Sequence, residues 1–375
     1  MPHAHCAAHF ETFGTPISIV ATQTIFVATQ RNGASLLSLT GERRQNLRYG
    51  QIAVTIPQDH EPGQIEWQRE GNGFGVAEAS SFASMAAFQQ KISTHQGRPD
   101  DAIFVFVPGH NMTMAEATFR QAQIAPNYAM TGPQILFAGP SAAQPLGYIS
   151  DRDSAMFVRN ALEQVLTGLP KIQNRRILLV SHSMGGHLIA ETLRQMSIGK
   201  NQVALDGIEG MVLIARNIDV DVLQTQLDRI DPLPAPFAIV VSQRDRALRL
   251  SARLNGQAQR LGSLADIRRL AQYPITVLDL TEINGSSDQN QLIPATSRIA
   301  ITLLRGLQET GLPARYSMTP RSKPCRSYCD CLSESVMGSL QTSYNATAGK
   351  LRSSHLPTAQ HQSLRALTGH YMRFA

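Results

Sequence analysis

The sequence predicts an α/β fold: a mostly parallel central sheet with helices on both faces. Two observations carry that prediction. Six short apolar runs of strand type alternate with segments of helical pattern between residues 102 and 307. One of these runs, Arg176–Val180, stops at Ser181-His182-Ser183-Met184-Gly185 and passes at once into a helix-like segment. A sharp strand-to-helix turn of that composition lifts a serine hydroxyl above the carboxyl end of a parallel sheet.

The elements follow in order. Ile17–Ala21 and Thr24–Ala28 are β-rich runs, and Gln51–Ile56, closed by Pro57, is a third. Residues 57–80 are rich in Gly, Pro and charge and read as a surface connection. The alternation then begins. Ala102–Val107 and Gln134–Ala138 are strands separated by the helical pattern Thr113–Ile124. Ser154–Thr167 is a helix, which Gly168 is placed to end before Pro170. The elbow strand Arg176–Val180 precedes the helix Met184–Met196. Met211–Ala215 and Phe237–Ser242 are strands, followed by the helices Val220–Ile230 and Ala247–Leu254. Ile275–Leu280 and Ala295–Leu307 are the last strand and helix. Strands buried on both faces read as continuous apolar runs, and in such sheets function sits at the carboxyl ends.

Charge narrows the classes of function. The chain of 375 residues carries +6, but residues 313–375 hold eight Lys/Arg against two acids, so the remainder is neutral. The basicity belongs to a tail and not to a binding face, and no specific nucleic-acid partner is expected. No apolar run is long enough for a transmembrane helix, and the start lacks the pattern of a leader, so a cytoplasmic location is expected. Cys325, Cys329 and Cys331 lie in the tail without paired zinc-ligand spacing. His3, His5, Cys6 and His9 crowd a frayed terminus. Neither a metal nor any other cofactor is expected. The expected division is a flexible terminus over residues 1–15, one α/β domain over 16–312, and a basic, disordered tail over 313–375.

Three strand ends carry candidate chemistry. Ser183 is the candidate nucleophile, flanked by the small residues Ser181 and Gly185 that a tight turn requires. Pro108-Gly109-His110-Asn111 could supply the N–H of His110 to an oxyanion hole shared with the N–H of Met184; its bland alternative is a turn that leads into a helix capped by Thr113. Asp245, in Ser242-Gln243-Arg244-Asp245, is the candidate acid, with Asp219 the alternative; pairing with Arg244 or Arg246 is the bland role. His182 and His187 are poorly placed as bases, one pointing across the turn and one a helical turn below the serine. No histidine occurs between Leu280 and Pro313, where a triad of this order needs one.

The sequence resembles a bacterial α/β-hydrolase family of unknown function, distantly similar to lipases and esterases, over about residues 24–308. The resemblance rests on Ile25–Arg31, Val105–Asn111, Gly139-Pro140-Ser141, Gly147-Tyr148, Asp151–Ala155, Ser181–Gly185, and Arg244–Leu248 with Ser251 and Asn255-Gly256. It implies an α/β-hydrolase fold with Ser183 as nucleophile and Asp245 as acid. Four motifs depart from the family pattern. Pro108 stands where the family has His, and Gly139 where it has Trp. Arg216-Asn217 replaces Pro-Asp, and Gln291 occupies the slot of the catalytic histidine. A glutamine amide has no accessible pKa and takes no proton from serine. Two expectations follow: a serine hydrolase acting on carboxylic esters or related acyl substrates, or a catalytically impaired binding protein that keeps the fold.

Overall fold

The structure is a computed structural model. It describes Phe10 and residues 19–58, 60, 65–67, 73–95, 101–109, 111–127, 131–141, 143, 147–215, 218–241 and 269–279. All of these fall in one compact unit, Met1–Arg305. The expected terminus apart from Phe10, the helices Ala247–Leu254 and Ala295–Leu307, and the tail lie outside the described residues.

Among the described residues a nine-stranded sheet organises the fold. Its strands are β1 (Ile19–Gly33), β2 (Leu39–Pro57), β3 (Gly75–Phe82), β4 (Ile103–Val107), β5 (Gln134–Ala138), β6 (Ile177–His182), β7 (Ile208–Ala215), β8 (Phe237–Val241) and β9 (Thr276–Asp279). The order across the sheet is β3-β2-β1-β5-β4-β6-β7-β8-β9. From β1 to β9 every neighbouring pair is parallel; β2 and β3 add an antiparallel edge. Among the described residues the α-helices are α1 (Met85–Ser93), α2 (Met114–Asn127), α3 (Tyr148–Gly168), α4 (Met184–Ile198), α5 (Gln202–Asp206) and α6 (Val220–Leu227).

The pleat sorts β4 between two layers. Ile103, Val105 and Val107 join one core with Phe88 of α1, Val158, Leu162 and Val165 of α3, Ile189 and Leu193 of α4, and Leu223 of α6. Phe104 and Phe106 are also buried but belong to the other face, where α2 packs on β1, β2 and β5 and Phe119 stacks near Phe74. Each buried aromatic or branched side chain contributes about 1.5–3 kcal/mol over an exposed one.

Two expectations change at the amino-terminal side. From Ile19 onward the runs expected at 17–21 and 24–28 belong to a single long strand, because Gln23 and Thr24 pair straight through with Val54 and Ala53 of β2. The stretch read as a surface connection contains β3 at its end, paired to β2 through Tyr49↔Phe82 and Ile52↔Ala79. Polar residues on an antiparallel edge strand look like a loop in sequence, since one side faces water.

Candidate active site

The chain reverses between β6 and α4 at one residue. Ser183 is the N-cap of α4 with φ 52° and ψ −119°. A non-glycine residue in such a conformation costs about 1–3 kcal/mol and persists only where its surroundings over-determine it. The Ser183 N–H donates to Ile214 O at 2.9 Å, and its carbonyl accepts from Gly186 N–H at 2.9 Å. The half-buried hydroxyl makes no capping hydrogen bond. Next to it, the N–H of Met184 belongs to the first turn of α4, where donors lack intrahelical partners and the helix end is electropositive.

The end of β4 lies against this turn, because Val107 is in register with Ser181. A Cβ on Gly109 would lie 2.8 Å from His182 O and 3.0 Å from Ser183 Cβ. A Cβ on Gly185 would overlap Val107 O and lie 2.7 Å from Pro108 O. Glycine at both positions lets the loop after β4 and the start of α4 touch through their backbones.

A buried polar cluster secures that loop. Asn111 adopts φ 59°, and its N–H donates to Asp151 Oδ2 at 3.2 Å. The same oxygen accepts from Ser141 Oγ at 2.6 Å. Arg31 donates through Nε to Gly139 O and through Nη2 to Met112 O, both at 2.8 Å. Burial pushes the Arg31 pKa down to about 10, against the opposing pull of Asp151 and Glu116. Thr113 and Glu116 form a reciprocal cap for α2: Thr113 Oγ1 accepts from Glu116 N–H at 3.1 Å, and Glu116 Oε2 accepts from Thr113 N–H at 2.8 Å. The cap expected at Thr113 is thus present.

On the other side of α4, the His187 ring has Nδ1 3.3 Å from Gln226 Nε2, which also donates to Glu191 Oε2 at 3.1 Å. Glu191 pairs with Arg194 at 3.0 Å and Arg159 at 3.4 Å. Burial holds the His187 pKa below the usual imidazole range; Glu191 and Asp219 oppose this, and Arg152 adds to it. Asp219 caps α6, accepting from Val222 N–H at 3.1 Å. His182 is buried at the end of β6.

Ser183 and Met184 are therefore adjacent at a strained turn beside the loop after β4. His110, Asp245 and Gln291 lie outside the described residues. Among the described residues no group of three or more His, Cys, Asp or Glu is placed to hold a metal, and no helix is long and apolar enough to cross a membrane.

Residues 84–305, more than half of the chain, match the model of a family described as alpha/beta hydrolase of unknown function (DUF900). The chain belongs to this family. The parallel sheet with helices on both faces is thus that of an α/β hydrolase, as the sequence predicts. No curated protein matches the chain by sequence. Solved structures similar to it include a protein from Thermus thermophilus, at 13% identity, 71% coverage of this chain, 95% of that chain and TM-score 0.37. A lipase/esterase from Lactobacillus plantarum gives 15%, 70%, 94% and 0.35. A poly(3-hydroxybutyrate) depolymerase from Bordetella parapertussis gives 11%, 70%, 85% and 0.35.

Arg31, Ser141 and Asp151 received no individual role from the sequence. Their signal was a polar residue near the end of β1, another just past β5 and a third in the first turn of α3. Only the strand order β1-β5-β4, which brings those ends together, gives the signal meaning.

Proposed function

We propose that this α/β hydrolase is a serine hydrolase of carboxylic esters or related acyl substrates, with Ser183 as nucleophile. The observation that carries the proposal is the backbone of Ser183, held in a strained left-handed conformation with its hydroxyl uncommitted to the helix cap. Natural chains keep such strain where function requires it.

In the proposed reaction, Ser183 Oγ forms a bond to the substrate carbonyl carbon and gives its proton to a base. The N–H groups of Met184 and His110 hold the developing oxyanion. The bond to the leaving alkoxide then breaks, the alkoxide takes the proton, and water hydrolyses the acyl-enzyme by the same route in reverse. Asp245 supports the base. The usual position of that base holds Gln291, so a competent enzyme draws it from elsewhere, and a tail histidine such as His355 is the candidate.

Gln291 also favours a second reading, a binding protein that keeps the fold and the turn without turnover. Fluorophosphonate labelling and short-chain p-nitrophenyl ester assays separate the two. The hydrolase reading expects both activities in the wild type and neither in Ser183→Ala. Absence in the wild type with appearance in Gln291→His establishes the binding reading. If the wild type is active, deletion of residues 313–375 tests whether the base comes from the tail.

A further inference from the structure

The β1–β2 pair sets two arginines opposite each other. Arg31 on β1 is in register with Arg43 on β2, and like charges facing across an antiparallel pair destabilise it. The ladder is irregular on both sides of this pair. Thr29 pairs with Arg48, so Gln30 faces residues 44–47, and the register shifts again between Arg31 and Gly33. Such irregularities re-aim side chains and are over-represented next to active sites.

The two guanidinium groups part and reach different segments. Arg31 donates to Gly139 O, just past β5, and to Met112 O, just before α2. Arg43 donates through Nε to Ser154 Oγ at 3.1 Å and through Nη2 to Ser150 O at 3.2 Å. Its guanidinium also lies over the Phe157 ring, 5.7 Å from the centroid, a cation–π distance. Ser150, Ser154 and Phe157 all belong to α3. A planar fork meets these partners together, which the point charge of a lysine does not.

Asp151 lies between the two residues to which Arg43 donates. Its buried carboxylate accepts from Asn111 N–H at 3.2 Å and from Ser141 Oγ at 2.6 Å. Asn111 belongs to the loop after β4, and a Cβ on Gly109 of that loop would lie 3.0 Å from Ser183 Cβ. One helical turn and its hydrogen bonds therefore join the β1–β2 hairpin to the loop beside Ser183.

We propose that Arg43 is a positioning residue for the reaction at Ser183. It holds the first turn of α3, so that Asp151 holds the loop after β4 against the Ser183 turn. The inference rests on the hydrolase reading and deepens it by giving the hairpin a part in placing the proposed oxyanion loop.

The test compares Arg43→Ala and Arg43→Lys with the wild type in the full chain. The readouts are short-chain p-nitrophenyl ester hydrolysis, fluorophosphonate labelling, thermal melts, and the amide resonance of Asn111 in protein carrying isotope-labelled asparagine. Arg43→Ala is expected to lower kcat about tenfold with KM unchanged, inside the roughly hundredfold that a misplacement of about 1 Å can cause. Its melting temperature is expected to stay near that of the wild type, because Arg43 is exposed and its removal opens no core. The Asn111 amide is expected to move to higher field, as an amide does when its hydrogen bond lengthens. Arg43→Lys keeps the charge but not the fork and is expected to recover only part of kcat. Arg48→Ala, on the same strand, removes an equal charge and is expected to leave kcat unchanged. In an active wild type, an unchanged kcat in Arg43→Ala overturns the proposal. So does full activity in Arg43→Lys, or an equal loss in Arg48→Ala, since either leaves charge alone as the cause. A wild type that neither labels nor hydrolyses overturns the hydrolase reading instead. The Asn111 resonance then decides by itself whether Arg43 sets the loop, and an unmoved resonance overturns the proposal in either case.

Discussion

The backbone N–H of Asn111 donates to the buried carboxylate of Asp151 at 3.2 Å, tying the loop after β4 to the first turn of α3. Forty residues separate the two in sequence. The same carboxylate oxygen holds Ser141, and Arg31 braces the surrounding carbonyls. The loop that flanks Ser183 is therefore held by a charge-containing cluster and not by its own turn chemistry alone.

Asp151→Ala follows as the first prediction. It leaves the Arg31 guanidinium buried without that nearby negative charge and frees the Asn111 N–H. Breaking a buried charged cluster by removing one partner costs roughly 3–5 kcal/mol. Urea denaturation is expected to show a loss of that order. Asp151→Asn keeps the shape and one acceptor oxygen, so its loss is expected to be smaller. Equal losses from the two would mean that shape, not charge, holds the loop.

The strain at Ser183 predicts opposite effects from two small substitutions. Ser183→Ala keeps a Cβ at φ 52° and so keeps the strain, whereas glycine adopts that conformation freely. Ser183→Gly is expected to be about 1–2 kcal/mol more stable than Ser183→Ala, within the range that such conformations store. Chemical denaturation of both variants reads the difference. Under the proposed function both lose fluorophosphonate labelling and ester hydrolysis, by roughly 10⁶-fold for the loss of a serine nucleophile. Equal stabilities would show that the backbone of Ser183 carries no strain.

Much of this fold was legible in the chain because the central strands are continuous apolar runs. Phe104-Val105-Phe106-Val107 and Ile135-Leu136-Phe137 are buried on both faces, and such segments declare themselves without context. The edge was not legible. β3 reads Gly-Val-Ala-Glu-Ala-Ser-Ser-Phe and is a strand only because β2 supplies its hydrogen bonds. At the candidate site, Ser183 announced itself by local pattern. The Arg31–Asp151 cluster could not, because its members sit 120 positions apart and meet only through the strand order.

Close backbone packing predicts the outcome at Gly185. An added methyl would overlap the Val107 carbonyl oxygen, which belongs to a central strand and has no room to retreat. Gly185→Ala is therefore expected to destabilise by about 1–3 kcal/mol, the usual range for forcing extra atoms into a packed core. Gly199, whose Cβ would lie 3.3 Å from the nearest atom, Gln195 O, is the control. Gly199→Ala is expected to change stability by less than about 1 kcal/mol. Thermal melts of the two variants make the comparison, and equal shifts would show that the contact between α4 and β4 is not tight.

Two buried histidines predict a loss of stability toward acid pH. Burial lowers the pKa of both His95 and His187. At His95, which packs edge-on against Phe26 at 6.0 Å, a hydrogen bond from the ring to the Thr131 backbone and the charge of Asp101 oppose burial, and Arg175 adds to it. Each ring therefore binds a proton more readily in the unfolded chain than in the folded one. Stability is full above the unfolded imidazole pKa of about 6.5 and falls as the pH drops through it toward the lowered folded values. Between pH 7.5 and 5.5 the melting temperature is expected to fall, and the double variant His95→Gln/His187→Gln to fall less steeply. Both substitutions keep a polar side chain that cannot titrate, so they remove the proton linkage while retaining a group able to hydrogen-bond. An identical slope in wild type and double variant would place the acid sensitivity in the carboxylates, with the Arg31–Asp151 cluster the first to examine.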